Sequence, residues 1–207
     1  MTTTRTLTRR AGLAAVAVTS ALVLAACGDG GGSGHTGHRS AAGSSATPGS
    51  SAGAHNAQDV AFAQGMVPHH RQALEMARLA AGRASSAQVK DLAARIEKAQ
   101  DPEIRTMTGW LTAWGEQVPM AGMDHSGHSG MSGMMSDADM TALKKATGKD
   151  FDTRFLSLMV RHHQGAVEMA ATEKDKGRSG AAKAVADDIV TAQNAEIKEM
   201  RQLLGTS

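Results

Sequence analysis

The chain has 207 residues, a formal net charge of +2, an aromatic content of 2% without tyrosine, and a single cysteine. The lone cysteine excludes an intramolecular disulfide, and the scarcity of aromatic side chains removes the usual stacking platform for nucleic-acid bases. Three of the 22 basic residues lie in residues 1–26, which leaves 19 basic against 20 acidic residues in the rest of the chain. This balance does not favour a nucleic-acid partner.

The first 26 residues have the pattern of a secretory signal. Arg5, Arg9 and Arg10 form a basic segment, and an apolar segment follows at 11–24 that is too short to span a membrane. The small residues before Cys27 resemble a bacterial lipobox. We therefore expect lipidation of Cys27, export, and attachment to the outer face of the cell membrane or a periplasmic location. The alternative is an ordinary cleaved signal with an incidental cysteine.

The rest of the chain predicts a tether followed by helices. Residues 27–56 are rich in Gly, Ser and Ala, as in flexible tethers. Beyond them, apolar residues recur at steps of three and four and predict helices over 57–81, 86–114, 137–145 (with Asp137 as N-cap), 150–176 and 181–204. A Gly-, Ser-, Met- and His-rich loop at 115–136 separates the first hairpin, within 57–114, from the second, within 137–207. This order predicts an all-α, ferritin-like four-helix bundle built from two duplicated helical hairpins.

The two hairpins are copies of each other at an offset of 93 residues without gaps. The recurring pairs are Asp59/Asp152, Phe62/Phe155, Met66/Met159, His69/His162, His70/His163, Glu75/Glu168, Met76/Met169, Ile96/Ile189, Gln100/Gln193, Glu103/Glu196, Ile104/Ile197, Met107/Met200 and Leu111/Leu204. Core positions usually tolerate exchange among hydrophobic residues. Retention of Met-x-x-His-His in both copies therefore indicates a constraint beyond packing.

Each copy presents one face of a helix that carries thioethers and imidazoles. At about 100° per residue, the candidate metal ligands of each copy fall within roughly a third of the helix circumference: Met66, His69, His70 and Met76 in the first, and Met159, His162, His163 and Met169 in the second. Glu75 and Glu168 point away and are predicted to be solvated. Di-iron bundles carry Glu-x-x-His, whereas these copies have Met three residues before the first His, which favours Cu(I) or Ag(I) over iron or manganese. Taken singly, the methionines are also ordinary core residues.

The second helix of each hairpin carries polar residues on its apolar face. Gln100 and Glu103 lie there in the first copy, and Gln193 and Glu196 in the second. A buried carboxylate is costly unless it is paired or binds a metal. We expect these carboxylates either to orient histidines of the first helix or to be ligands themselves. The alternative is an interhelical polar network without a metal.

The central loop holds a second group of candidate ligands. They are Met120, Met123, His125, His128, Met131 and Met134, with Met135 next to them. A flexible segment of this kind can wrap a thiophilic ion or pass it to a better-formed site, although the entropy cost of ordering the loop predicts modest affinity. The alternative is a solubilising linker.

The paired motifs resemble a known family. Two copies of M-x-x-H-H with a downstream E-M-A, and two of I-x-x-x-Q-x-x-E-I-x-x-M, are similar to the DUF305 family of exported bacterial proteins over about residues 57–204. The resemblance implies a ferritin-like helical bundle, and some members are similar to the periplasmic copper-binding protein CopM. It also implies copper binding in the cell envelope, with the Met and His residues of the paired motifs as ligands.

These observations together predict a non-enzymatic, lipid-anchored copper-binding protein. It would bind Cu(I), and also Cu(II) or Ag(I), for buffering, resistance or delivery to a copper-transfer protein. One alternative is a redox-active bundle that oxidises a metal ion, and another is a structural or interaction module whose polar face residues form a network. No nucleophile–base arrangement indicates a hydrolase. The sequence does not predict whether the duplicated clusters form one site or two, nor the oligomeric state.

Overall fold

The computed structural model describes residues 54–120 and 132–206. It contains five helices in this part of the chain: α1 (Ala57–Arg83), α2 (Ala87–Trp114), α3 (Asp137–Lys145), α4 (Gly148–Lys176) and α5 (Gly180–Leu204). The described residues include no strand. All five predicted helices are confirmed, with ends that differ by at most two residues. None of the described helices is both long and apolar enough to span a membrane. The predicted signal segment, Cys27 and almost all of the predicted tether lie outside the described residues.

The helices form the predicted bundle of two hairpins. α1 packs along α2, α4 packs along α5, and the first helices of the two hairpins, α1 and α4, pack against each other. The second helices, α2 and α5, have little contact. The short α3 lies in the long connection between the hairpins and contacts both α1 and α4. The interface of α1 with α4 is therefore the place where the two copies meet.

Side-chain oxygens cap most helix starts. Asn56 begins α1 in a capping box with Asp59, and Ser86 and Ser179 cap α2 and α5. The prediction of Asp137 as the N-cap of α3 is wrong, because Ser136 occupies that position and accepts the backbone N–H of Asp139. The Ser136 hydroxyl satisfies one of the backbone N–H groups left free at the start of α3.

The core consists of two apolar clusters that are images of each other under the duplication. The first cluster includes Ala73, Val89, Ile96, Met159 and Met200. The second includes their counterparts, Ala166, Ala182, Ile189, Met66 and Met107. Each cluster thus contains residues from both hairpins. The two copies share their cores and do not form separate ones.

Reciprocal caps join the hairpins at their turns. Asp59 on α1 accepts the backbone N–H groups of Arg178 and Ser179, at the turn between α4 and α5, with O···N distances of 3.1 and 2.8 Å. Its counterpart Asp152 on α4 accepts those of Ser85 and Ser86, at the turn between α1 and α2, at 3.1 and 3.0 Å. Each acidic residue on one hairpin therefore holds the helix start of the other.

Candidate metal centre

One histidine from each copy meets its counterpart in the middle of the bundle. The imidazoles of His69 on α1 and His162 on α4 have ring centroids 3.8 Å apart and planes tilted by 40°. His69 is 0% and His162 is 1% exposed. The two duplicated motifs therefore form one shared centre.

Within residues 54–120 and 132–206, the ring nitrogens of this pair have no hydrogen-bond partners. Both ring nitrogens of His69 and both of His162 are buried and unpaired, and so are the Nδ1 atoms of His70 and His163. Buried polar atoms are normally hydrogen-bonded, because an unpaired one costs free energy. Buried imidazole nitrogens without protein partners can bind a ligand that coordinates nitrogen.

Burial keeps the inner imidazoles neutral. It lowers the pKa of His69 to about 3, with a further lowering from the neighbouring His70 and His163. Burial also lowers the pKa of His162 well below its ordinary value, again helped by the other histidines. A neutral imidazole is the form that binds a metal, so protons do not compete for these nitrogens near neutral pH.

Two carboxylates hold the outer histidines. His70 Nε2 lies 2.6 Å from Glu103 Oε2, and His163 Nε2 lies 2.7 Å from Glu196 Oε2. A carboxylate only accepts hydrogen bonds, so each Nε2 carries a proton and donates it to the carboxylate. Hydrogen bonds of this kind fix the tautomer and orientation of a metal-binding histidine. The Glu side chains are 23% and 18% exposed and lie at the edge of the centre.

The second helix of each hairpin also carries a buried glutamine. Gln100 and Gln193 are each 3% exposed. Both amide atoms of Gln100 and the Oε1 of Gln193 lack a partner. Among the described residues, the duplicated motifs therefore also place amide groups without hydrogen-bond partners in the interior of the bundle.

The predicted methionine ligands separate into near and far pairs. Met66 and Met159 are fully buried and lie one helical turn before the histidines, about 4.5 Å along the axis from His69 and His162. Met76 and Met169 lie seven residues beyond the same histidines, which is about 10 Å along the axis. Met76 belongs to the first apolar cluster and Met169 borders the second. The structure does not bring this far pair to the histidines.

The loop residues are only partly within the described chain. Met120 is 59% exposed, Met134 is half-buried and Met135 is buried. Met123, His125, His128 and Met131 lie outside the described residues. Both described ends of the loop are bound to α1 beside His70: Arg71 donates to the Pro119 carbonyl at 2.6 Å, and Gln72 bonds the backbone of Met135.

Glu75 and Glu168 lie on the surface, as predicted. Glu75 pairs with Lys144 at 2.6 Å, and Glu168 accepts the Ser132 hydroxyl at 2.6 Å. Within the described residues, no three His, Cys, Asp or Glu side chains converge as a preformed metal cage. The described groups where the two copies meet are thus two inner imidazoles and two outer ones held by carboxylates. Imidazole nitrogen and thioether sulfur suit Cu(I) or Ag(I) better than a hard cation.

Sequence reasoning missed Gln72 and Gly165. They occupy equivalent positions of the two copies but differ in type, and each lies three residues after an inner histidine. Gln72 binds Met135, while Gly165 lets the loop residues Ser132 and Gly133 approach the α4 backbone closely. The difference between the two copies at this position could have identified them, because the surrounding motif is the same in both copies.

A family model matches residues 59–204, and it is described as a domain of unknown function, DUF305. The chain belongs to the DUF305 family. Its matched segment contains both copies of the motif and all the centre residues named above. No curated protein matches the chain.

Solved structures of DUF305 proteins have the same fold. A secreted DUF305 protein from Streptomyces coelicolor is 34% identical, with a TM-score of 0.64 over 72% of this chain and 91% of that one. A DUF305 fragment from Deinococcus radiodurans is also 34% identical, with a TM-score of 0.66 over 73% of this chain and 98% of that one. CopM in its Cu(II)-bound form is 37% identical, with a TM-score of 0.61 over 70% and 94%. CopM has also been solved with Cu(I) and with silver.

Proposed function

We propose that this DUF305 protein binds copper, preferentially Cu(I), at the buried centre where its two copies meet. The observation that carries the proposal is the contact of His69 with His162, whose four ring nitrogens are buried and unpaired. The similarity to CopM, solved with Cu(I), Cu(II) and silver, supports the same class of ion. The ion is cargo here, and the bundle is its binding protein.

The chemistry of the centre favours Cu(I) over divalent ions. Burying an ion costs free energy unless its charge is compensated. The inner imidazoles are neutral and compensate none of that charge, so a divalent ion costs more there than a monovalent one. A monovalent soft ion that accepts few nitrogen and sulfur ligands fits such a site, whereas Mn²⁺ and Mg²⁺ seek several oxygen ligands. We propose His69 and His162 as the primary ligands, with His70, His163, Met66 and Met159 completing the set and Glu103 and Glu196 orienting the outer histidines.

We further propose that the protein acts outside the cytoplasm. The signal-like segment, the lipobox-like residues before Cys27 and the Gly/Ser-rich tether at 27–56 support export and a lipid anchor. Its DUF305 relative from Streptomyces coelicolor is described as secreted. An anchored binding protein of this kind would buffer Cu(I) at the cell surface or hand it to a copper-transfer protein.

A competition titration tests the proposal. The metal-free chain is titrated with Cu(I) against a coloured chelator, beside the variant His69→Gln/His162→Gln. We expect the variant to lose affinity by at least about 100-fold, because both inner nitrogen donors are gone. His55→Gln is the matched control, since His55 stacks on Trp114 away from the centre.

Three results would contradict the proposal. A chain that ignores micromolar Cu(I) would exclude a copper-binding role. Equal affinity in the wild type and the double variant would move the site elsewhere, and a variant with altered stability but unchanged affinity would make the histidines a structural network. Oxygen consumption is followed in the same titration, because catalytic consumption on adding Cu(I) would indicate a metal oxidase.

A further inference from the structure

A short segment of the central loop packs against the helix that carries His162. We call this segment, residues 132–135, the strap. Ser132 and Gly133 lie directly on the α4 backbone: a Cβ on Gly133 would be 2.8 Å from the carbonyl oxygens of Arg161 and His162, and a Cβ on Gly165 would be 2.7 Å from the Gly133 Cα and would collide with the Ser132 carbonyl. The backbone of Ser132 also lies near the ring of His69, without a hydrogen bond of good geometry between them.

Glycine is required at both points of this contact. Gly133 has a φ of +80°, a conformation that side-chain-bearing residues rarely adopt. Gly165 lies in the middle of α4, where glycine costs helix stability, so its presence reflects the close approach of the strap. The strap is therefore fitted to the helix that carries His162.

The other end of the strap is fixed to the opposite helix. Met135 donates its N–H to Gln72 Oε1 at 2.7 Å, and Gln72 Nε2 donates to the Met135 carbonyl at 3.0 Å. Gln72 lies on α1 and Gly165 occupies its equivalent on α4. Gly165 thus leaves space for the strap on the second copy, and Gln72 binds the strap to the first copy.

The strap also places two methionines, Met134 half-buried and Met135 buried, against a cavity next to α4. Met134 and Met135 line an open cavity of about 570 Å³ together with Arg161, Gly165, Glu168 and Arg201. Arg161 reaches the Met135 sulfur at 3.8 Å, so this sulfur faces the cavity. Arg161 and Arg201 against Glu168 leave one excess positive charge, which repels a divalent cation about twice as strongly as a monovalent one, and thioethers bind a soft ion through polarisable sulfur.

We propose that Met134 and Met135 form an uptake site for a soft monovalent cation, and that displacement of the strap admits the ion to His69 and His162. The proposal rests on the proposed function and adds the route to the buried centre. It follows from the burial of both histidines, since an ion reaches them only when some covering segment moves. The strap touches both first helices and carries donors for the same class of ion.

The first test removes the thioethers. Met134→Leu/Met135→Leu keeps the volume of the side chains, and Met140→Leu, in the same apolar cluster, is the matched control. Stopped-flow transfer of Cu(I) from a coloured chelate should slow about tenfold in the double variant, with equilibrium affinity within about twofold of the wild type. Should the double variant fail to fold, Met134→Leu alone tests the same rate, because Met134 is only half-buried.

The second test moves the strap without using metal. Gly165→Ala places a methyl group against Ser132, while Gly109→Ala on α2 adds one into open space. Acylation of individual histidines in the metal-free protein, resolved by mass spectrometry, should be about tenfold faster at His69 and His162 in Gly165→Ala and unchanged in the control.

Failure of the inference differs from failure of the proposed function. Wild-type uptake rates in Met134→Leu/Met135→Leu, or wild-type acylation in a folded Gly165→Ala variant, overturn the uptake route. If His69→Gln/His162→Gln binds Cu(I) as the wild type does, the proposed function falls, and the route to that centre falls with it. Loss of affinity in that histidine variant with unaltered uptake in the methionine variant overturns the inference alone.

Discussion

At the scale of single residues, the centre depends on groups whose usual partners are absent. The inner histidines have no hydrogen-bond partner among the described residues, while the outer histidines have one carboxylate each. The two adjacent histidines of each motif therefore have different roles. Adjacent residues on a helix point about 100° apart, so one histidine of each motif faces the opposite copy and the other faces the second helix of its own hairpin.

The carboxylates that hold the outer histidines can be tested through the histidine tautomer. We expect Glu103→Ala or Glu196→Ala to lower Cu(I) affinity about tenfold, because the ring loses the hydrogen bond that orients it. Nitrogen-15 NMR should show a tautomer mixture in place of a single Nε2-protonated ring. Glu97→Ala, on the surface of α2, is the control. An unchanged tautomer and affinity would show that these carboxylates do not position the histidines.

A buried acid without a counterpart in the first copy predicts a pH effect on stability. Burial and the neighbouring Asp59 carboxylate raise the pKa of Glu173 to about 8 from an ordinary 4.5. Both carboxyl oxygens of Glu173 are buried without a hydrogen-bond partner among the described residues, so burial favours the uncharged, protonated form. The unfolded chain releases this proton above pH 4.5 and the folded chain keeps it until about pH 8, so its contribution to the free energy of unfolding falls as pH rises through that range.

Glu173→Ala isolates this contribution. The equivalent residue in the first copy is Ala80, which is fully buried, so alanine is a suitable replacement. The difference in free energy of unfolding between wild type and variant should shift in favour of the variant from pH 5 to pH 8, as measured by urea unfolding. The contribution of the buried histidines to the free energy of unfolding is the same in wild type and variant, so it cancels in the difference. Their lowered pKa values change the stability with pH in the opposite direction below pH 6.5. A difference that does not change with pH would contradict the prediction.

At the scale of the helices, the reciprocal caps connect the two hairpins. Asp59 and Asp152 each accept backbone N–H groups at the start of a helix in the other hairpin. Burial alone would raise the pKa of Asp59, but the neighbouring Glu173 side chain and hydrogen bonds from the Ser179, Asn56 and Arg178 backbone outweigh it and lower the pKa below 3.8. Its stabilising contribution is therefore present above pH 3.8 and is lost as the pH falls below that value.

Removing either cap should destabilise the whole bundle. We expect Asp59→Ala or Asp152→Ala to cost about 1–2 kcal/mol in free energy of unfolding, since each loses an N-terminal cap in a buried setting. Asp101→Ala is the control, because Asp101 pairs only with Arg105 on the surface. Thermal unfolding followed by circular dichroism measures all three. If the cap variants unfold no earlier than the control, the reciprocal contacts contribute little.

At the scale of the molecule, periodicity and duplication were enough to predict the architecture. Steps of three and four predicted all five helices, and the copies predicted two hairpins. The meeting of His69 with His162 could not be predicted, because it depends on how α1 crosses α4. Met76 fits the same helical face as Met66, but it lies about 10 Å beyond His69 along the axis of α1, whereas Met66 lies about 4.5 Å before His69. The strap was missed because periodicity describes repeats, and Gly165 matters through its difference from Gln72.

A single shared centre makes a prediction about how the two copies cooperate. If each copy supplies one inner ligand to one ion, His69→Gln and His162→Gln should each weaken Cu(I) binding by a similar factor. The double variant should then lose less than the sum of the two free-energy losses, because the second change removes a ligand from a site already broken. The high-affinity stoichiometry should be the same in both single variants. Competition titration of the wild type and the three variants completes the cycle. Two independent sites would instead give additive losses, with half of the high-affinity binding removed by each single change.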